Sequence, residues 1–180
     1  MAQMRTVAAE EGSPGAGAQE RFSALLEEHA GILHKTTRAY ARSEPDRQDL
    51  SQEIAAQLWR SFPRYDERLP FSTWMYRVAL NVAISFVRRQ TVRRRHFAEL
   101  EGHEEAPDPA GGASCGRELQ LLDRFLAGLG ELDRGLMLLY LDGRRHDVIA
   151  EVLGISESNV GTRLGRLKER LRRELDSNAV

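Results

Sequence analysis

Apolar residues recur at helical spacing along most of the chain, and no run alternates apolar and polar positions as a half-buried strand requires. Phe22, Leu25, Leu26, His29, Ile32 and Leu33 mark a first helix. Leu50, Ile54, Leu58 and Trp59 mark a later one that stops at Pro63. From Pro63 to Phe71 the pattern lapses into an irregular loop holding Tyr65, Arg68 and Pro70. Ser72 then stands where an N-cap is expected, and the helix it opens runs through Trp74, Val78, Val82 and Phe86 into a basic run from Arg88 to Arg95.

Helical spacing resumes further on, where Leu119, Leu122, Phe125, Leu126 and Leu129 make one amphipathic helix. Leu132, Leu136, Leu139 and Tyr140 make another, ending near Asp142 and Gly143. His146 to Leu153 predicts a short helix closed by Gly154, and Ser156 caps a long final helix. A short helix, a glycine turn, a cap and a long basic helix together form a helix-turn-helix signature. The expected fold is all-α: two small helical domains, a bundle and a helix-turn-helix, joined by a flexible acidic linker.

The breaks between patterned segments set the domain limits. Residues 1–19 read as a disordered leader, with Gly, Ala, Ser and Pro concentrated between Glu11 and Ala18. Residues 20–95 form the first domain, 96–116 a linker containing Pro107 and Pro109, and 117–177 the second domain. Domains of about 60–76 residues bury only about 60% of their unfolded surface, so each is expected to be marginal alone and stabilised by a partner.

Composition changes this picture only when resolved by segment. The 180-residue chain is 41% hydrophobic and 29% charged with a net charge of −1, which at face value argues against a nucleic-acid binder. Residues 21–95, however, carry 14 basic and 8 acidic side chains, while residues 96–116 carry five acids and neither Lys nor Arg. Between Ser158 and Arg173, six basic residues face Glu169 alone. Two basic surfaces are therefore masked in the total. With little overall attraction to DNA, the free chain is expected to bind it poorly until something holds both domains in place. The lone Cys115 permits no internal disulfide and fits a reducing compartment. No signal peptide or membrane-length apolar segment is evident, so a cytoplasmic protein without membrane insertion is expected.

In the final helix, Val160, Leu164, Leu167, Leu171 and Leu175 share one stripe, which fixes the opposite face as Ser158, Thr162, Gly165, Arg166, Glu169 and Arg173. Asn159, Gly161 and Arg163 fall toward its edges. Arg, Thr and Asn can read base edges or hold phosphates, and each helical glycine costs about 1 kcal/mol against Ala, a cost that close approach to a DNA strand would explain. In the first domain, aromatic residues Phe71, Trp74 and Tyr76 lie beside Arg64, Arg68 and Arg77, a mixture suited to unpaired bases. Trp74 shares a stripe with Val78 and Val82 and is expected to be partly buried, with Tyr76 better placed for exposure. The arginines from Arg88 to Arg95 suit a strip of phosphates or a solvated helix end.

Two strings, Asp49-Leu50-Ser51-Gln52-Glu53 through Trp59 and Phe71-Ser72-Thr73-Trp74-Met75-Tyr76-Arg77 to Arg88-Arg89, precede the helix-turn-helix Asp147 to Val160. In this order the chain resembles the extracytoplasmic-function sigma factors of bacterial RNA polymerase, of the sigma-70 family. The resemblance implies a promoter-recognition subunit with no enzyme activity, no cofactor and no metal. It implies that Asp49, Leu50, Gln52, Glu53 and Trp59 bind core polymerase at the β′ clamp helices, with a further contact to the β flap. It assigns minus-10 DNA to Arg64, Tyr65, Arg68, Trp74, Tyr76, Arg77, Asn81, Arg88 and Arg89, and minus-35 DNA to Ser158, Asn159, Thr162, Arg163, Arg166 and Arg173. An anti-sigma factor is an implied partner. The chain departs from the family at Ser85, where an acid is frequent, and at Gly161, where a basic residue is frequent.

Other classes fit less of the chain. His96, His103 and Cys115 lack the paired spacing of a zinc site, and no glycine-rich phosphate loop or nucleophile elbow is present. A helix-turn-helix regulator acting on duplex DNA without polymerase would account for residues 117–176 but leave Asp49 to Trp59 and the aromatic loop without a role. An adaptor working through the acidic linker is the third alternative.

Overall fold

The structure, a computed structural model, describes residues 16–101 and 117–178. Its first unit contains α1 (Ala16–Glu28), α2 (Ala30–Tyr40), α3 (Glu44–Ser61), a 3-10 turn at Phe62–Arg64, and the long α4 (Phe71–Glu101). The second contains α5 (Arg117–Ala127), α6 (Glu131–Leu141), α7 (His146–Leu153) and α8 (Glu157–Asn178). Among the described residues there is no strand, as the hydrophobic periodicity requires.

Local chemistry sets several helix ends. Ser43 accepts a hydrogen bond from the Asp46 backbone N–H at 3.2 Å, and Pro45 follows in the first turn, where its missing N–H costs nothing. Ser156 likewise accepts from the Asn159 N–H at 3.3 Å and opens α8. Gly154 closes α7 in the left-handed region with φ of 67°. A Cβ there would meet no atom within 4 Å, so Gly154→Ala should carry a torsional cost alone. We expect it to lower the unfolding free energy by about 1–2 kcal/mol in urea titration, with little change in native helicity.

The structure departs from the sequence reading at four places. The helix expected from Phe22 to Leu33 is two helices, broken at His29, whose φ of −108° and ψ of 17° are not helical. Ser72 is not the cap of α4: that helix already begins at Phe71, and Pro70 supplies the carbonyl that accepts from the Thr73 N–H at 3.0 Å. α1 begins at Ala16 and α4 continues to Glu101, so helix reaches into both the segment read as leader and the segment read as linker. The rest of that linker, with His103 and Cys115, lies outside the described residues.

The two units pack against each other. Leu50, Ile54 and Leu58 of α3 meet Met75, Leu80 and Ala83 of α4 in a core continuous with Phe125, Leu136, Leu139, Ile149 and Val160 of the second unit. α2 and α4 supply the first unit's contact surface, and α5, α6 and α7 the second's. Each small unit thus finds in the other part of the apolar burial it lacks alone. No described helix is long and apolar enough to cross a membrane.

Candidate nucleic-acid interface

The turn at Gly154 fixes how α8 leaves α7. Val160, Leu164 and Leu167 are buried, Leu171 is half-buried and Leu175 reaches solvent, so the apolar stripe fades along the helix. Ser158, Thr162, Gly165, Arg166, Glu169 and Arg173 all stand exposed on the other side. A Cβ at Gly161 or Gly165 would touch nothing within 4 Å, so packing within the protein does not require either glycine.

Arg163 behaves differently from the rest of this set. Its Nη1 donates to Asp133 Oδ1 of α6 at 2.7 Å, and its Nε donates to Asn159 Oδ1 at 3.1 Å. Both side chains at the edge of the face are therefore engaged in bracing α8 on α6. Arg166, one turn less one residue further on, is the arginine left at the centre of the exposed face.

In the first unit, Phe62, Tyr65, Phe71 and Trp74 form an aromatic cluster, with ring centroids 5.0 Å apart for Tyr65 and Trp74 and 5.2 Å for Phe71 and Trp74. Trp74 is only 8% exposed, so it supports the loop from beneath. The loop is internally tied. The Tyr65 hydroxyl donates to the Leu69 carbonyl at 2.6 Å, and the Arg68 N–H and guanidinium both donate to Asp66. Those bonds hold the Asp66 carboxyl below its ordinary range, while burial pushes the Tyr65 phenol up. Arg64 and Arg68 remain exposed on this preformed loop, and an Arg21–Glu67 ion pair fastens α1 to it.

Three candidate residues are corrected by burial. Leu50 is completely buried and holds α3 in place, without an atom available for docking. Trp74 is more enclosed than partial burial implies. Tyr76, expected to be exposed, is 0% exposed: it lies under α6 and its following turn, with the Arg144 guanidinium 5.3 Å from its ring centre. Its hydroxyl has no partner of hydrogen-bond geometry, and burial, with the neighbouring Asp142 carboxylate, pushes its pKa far up. Arg77 is also occupied, donating to Glu151 Oε1 of α7 at 2.8 Å. Asn81 remains exposed, and its carbonyl accepts from Ser85 Oγ at 2.8 Å, so the departure at Ser85 is absorbed within the helix.

On α3, Asp49 and Gln52 are exposed side by side and Glu53 is half-buried. Glu53 is paired with Arg89 of α4 at 2.6 Å, which joins a residue of the acidic face to one of the basic strip. Arg88 and Arg93 are exposed further along, and Trp59 packs on Phe22 with centroids 5.1 Å apart. Among the described residues no group of three metal-ligating side chains comes together.

Residues 25–93 match the family model of sigma-70 region 2, and residues 119–171 match that of sigma-70 region 4. The chain belongs to the sigma-70 family. As a sigma factor of the extracytoplasmic-function group, it is a non-catalytic transcription initiation factor that directs core polymerase to promoters. It is similar to the RNA polymerase sigma factor CnrH of Cupriavidus metallidurans, at 28% identity over 174 residues and 91% of each chain. It is also similar to the sigma-E factor of Escherichia coli K12, at 27% identity over 167 residues and 85% of each. Among solved structures, the sigma factor RpoE of Bartonella quintana in complex with the anti-sigma factor NepR shares the fold. Its TM-score is 0.69 at 19% identity, covering 87% of this chain and 98% of that one. CnrH in complex with the cytosolic domain of CnrY gives 0.64 at 24% identity, covering 90% and 94%.

What sequence reasoning missed in this sigma factor is the surface between its units. Tyr40, Gly135 and Asp142 carry that contact. The one signal available in the sequence was a glycine in the middle of an otherwise strong helix, flanked by Arg134 and Leu136.

Proposed function

We propose that residues 20–95 bind core polymerase and capture the minus-10 strand, while residues 117–177 read the minus-35 duplex. The observation that carries this division is that α8 leaves Ser158, Thr162, Arg166 and Arg173 exposed on one face after a glycine turn, the geometry of a major-groove helix. Thr162 and Arg166 are the base readers. Asn159 and Arg163 set the angle of the helix through Asp133. Arg64 and Arg68 line the loop that receives a flipped base, a step costing a few kcal/mol, and Arg88 and Arg89 hold backbone phosphates. Tyr65, half-buried and fixed by Leu69, is the ring best placed to stack on that base. Tyr76, Arg77 and Asn81 lie along the same helix toward the second unit.

The exposed face of α3, with Asp49, Gln52 and Glu53, is the docking surface for the β′ clamp helices, and the second unit reaches the β flap. Trp59 supports that face from its seat on Phe22. The Bartonella quintana relative was solved with an anti-sigma factor and CnrH with a cytosolic domain of CnrY, which supports a partner of the anti-sigma kind for this chain in the cytoplasm.

Run-off transcription from a promoter library with purified core polymerase tests the reading. The chain should yield promoter-dependent transcripts; tight duplex binding by the free chain with no transcript would instead support a regulator working without polymerase. Asp49→Ala should weaken core binding by about 1–2 kcal/mol in a competition assay while leaving promoter preference unchanged. A changed promoter preference at normal core affinity would remove Asp49 from the docking face.

A further inference from the structure

Arg21 and Phe22 precede residues 25–93, the segment matched to region 2, yet both reach the loop assigned above to base capture. Among the described residues of α1, Phe22 alone is buried. Its ring packs against Trp59 of α3 and against Phe62 at the foot of the loop, with centroids 5.1 Å away in each case. Phe62 stacks in turn on Tyr65, 6.1 Å away with the planes 18° apart. One ring therefore separates α1 from the tyrosine proposed to receive the base. A second support comes from the break after α1, where His29 stacks on Phe71 at 5.4 Å and Phe71 meets Tyr65 edge-on at 5.5 Å.

The polar contact of α1 lies beside this stack. Arg21 Nη1 donates to Glu67 Oε1 at 2.5 Å, and Glu67 stands between Asp66 and Arg68 in the loop. The bonds from Tyr65 to Leu69 and from Arg68 to Asp66 close the loop on itself. Among the described residues, the Arg21 pair is the one polar contact from the loop to a helix that does not adjoin it. The internal bonds thus fix the shape of the loop, and α1 fixes where that shape sits.

We propose that α1 is the positioning element of the base-capture loop, with Arg21 holding it through Glu67 and Phe22 supporting Tyr65 through Phe62. The proposal rests on the assignment of this loop to the minus-10 strand. A loop placed before the strand arrives loses less binding energy to ordering, and it adapts to fewer alternative bases. Arg21 and Glu67 are 50% and 65% exposed, so their pair adds little to the stability of the fold. Its effect falls on base discrimination.

The test uses holoenzyme assembled from core polymerase and the full chain, as wild type, Arg21→Glu, Glu67→Arg and the swapped pair R21E/E67R. The probes are fluorescein-labelled single strands carrying the minus-10 element of a promoter selected in the run-off experiment, with each of the four bases in turn at each position. Anisotropy gives the affinities, and the ratio between the best and worst base is compared at the position where wild type discriminates most. A charge changed near the phosphates shifts all strands alike and cancels in that ratio. Each single reversal should lower the ratio about two- to fivefold, the range of an exposed pair, and the swap should restore it. Core affinity and the urea midpoint should stay at wild-type values. So should the emission of Trp59 and Trp74, the two tryptophans of the chain, which both belong to the aromatic cluster.

An unchanged ratio in either single variant, or a swapped pair that discriminates as poorly as the single ones, overturns the positioning role and leaves the sigma-factor reading standing. Equal affinity of wild-type holoenzyme for all four bases at every position removes the minus-10 assignment itself, and the proposal with it. If Arg21→Glu disturbs the tryptophan emission, Glu67→Gln decides instead, because it takes the charge from the loop and leaves α1 untouched. A lowered ratio in Glu67→Gln supports the role, and a wild-type ratio overturns it.

Discussion

Arg166→Ala is expected to weaken use of the upstream promoter element by about 1–3 kcal/mol, roughly 5- to 150-fold, the range of a bidentate base contact. Arg166 stands at the centre of the exposed face of α8, on a helix fixed from behind by Val160, Leu164 and Leu167. The loss should therefore be local to the bases beneath it, and core polymerase binding should not change. Arg163→Ala provides the contrast. Its guanidinium is committed to Asp133 and Asn159, so its removal should lower the stability of the second unit and weaken all upstream sequences alike. Transcription from promoters carrying single-base changes in the upstream element measures both. If Arg163→Ala relaxes preference at one base pair while Arg166→Ala acts uniformly, the two roles have been exchanged.

Ile54→Ala should cost about 2–5 kcal/mol of stability, through lost transfer energy and the cavity left behind. Ile54 is fully buried between Leu50 and Leu58 on the inner side of α3, whose outer side carries Asp49 and Gln52. A domain with a total stability of about 5–15 kcal/mol loses a large part of its margin in one substitution. Core polymerase affinity should then fall at physiological temperature although no docking residue has been touched, and it should recover on cooling. Urea unfolding followed by circular dichroism measures the stability term directly. Full stability with poor core binding would place Ile54 in the docking surface and contradict its burial.

The contrast between Ile54 and Asp49 also shows why the inward and outward faces of α3 and α8 were legible in the sequence. Both are amphipathic, so the apolar stripe fixes the opposite face by helical geometry, and the exposed residues on that face follow. The glycine turn at Gly154 and the cap at Ser156 were legible for a similar reason, since each acts within one turn of backbone.

Tyr76 marks where that logic stops. Periodicity says which side of a helix is apolar, but α4 is enclosed on more than one side, by α3 and α2 of its own unit and by α6 and α7 of the other. The break at His29 has the same origin: the apolar period continues across it, while the backbone turns so that α1 can bring Phe22 onto Trp59 and Phe62. Arg163 is a third case: helical geometry places it toward the edge of the face, but its partner Asp133 lies 30 positions away, so the ion pair that engages it is not written in the local sequence.

Helical character, both ends of α7 and the start of α8, the inward faces of α3 and α8 and the family to which the motifs correspond all follow from the order of residues alone. Those properties depend on interactions within about one helical turn, or on strings of adjacent residues. Which charged residues are free and which are spent on bracing, the covering of Tyr76, and the contact of Gly135 with Tyr40 emerge only once the chain is folded. Each of these depends on atoms from helices distant in the chain, whose meeting is set by close packing of the shared core.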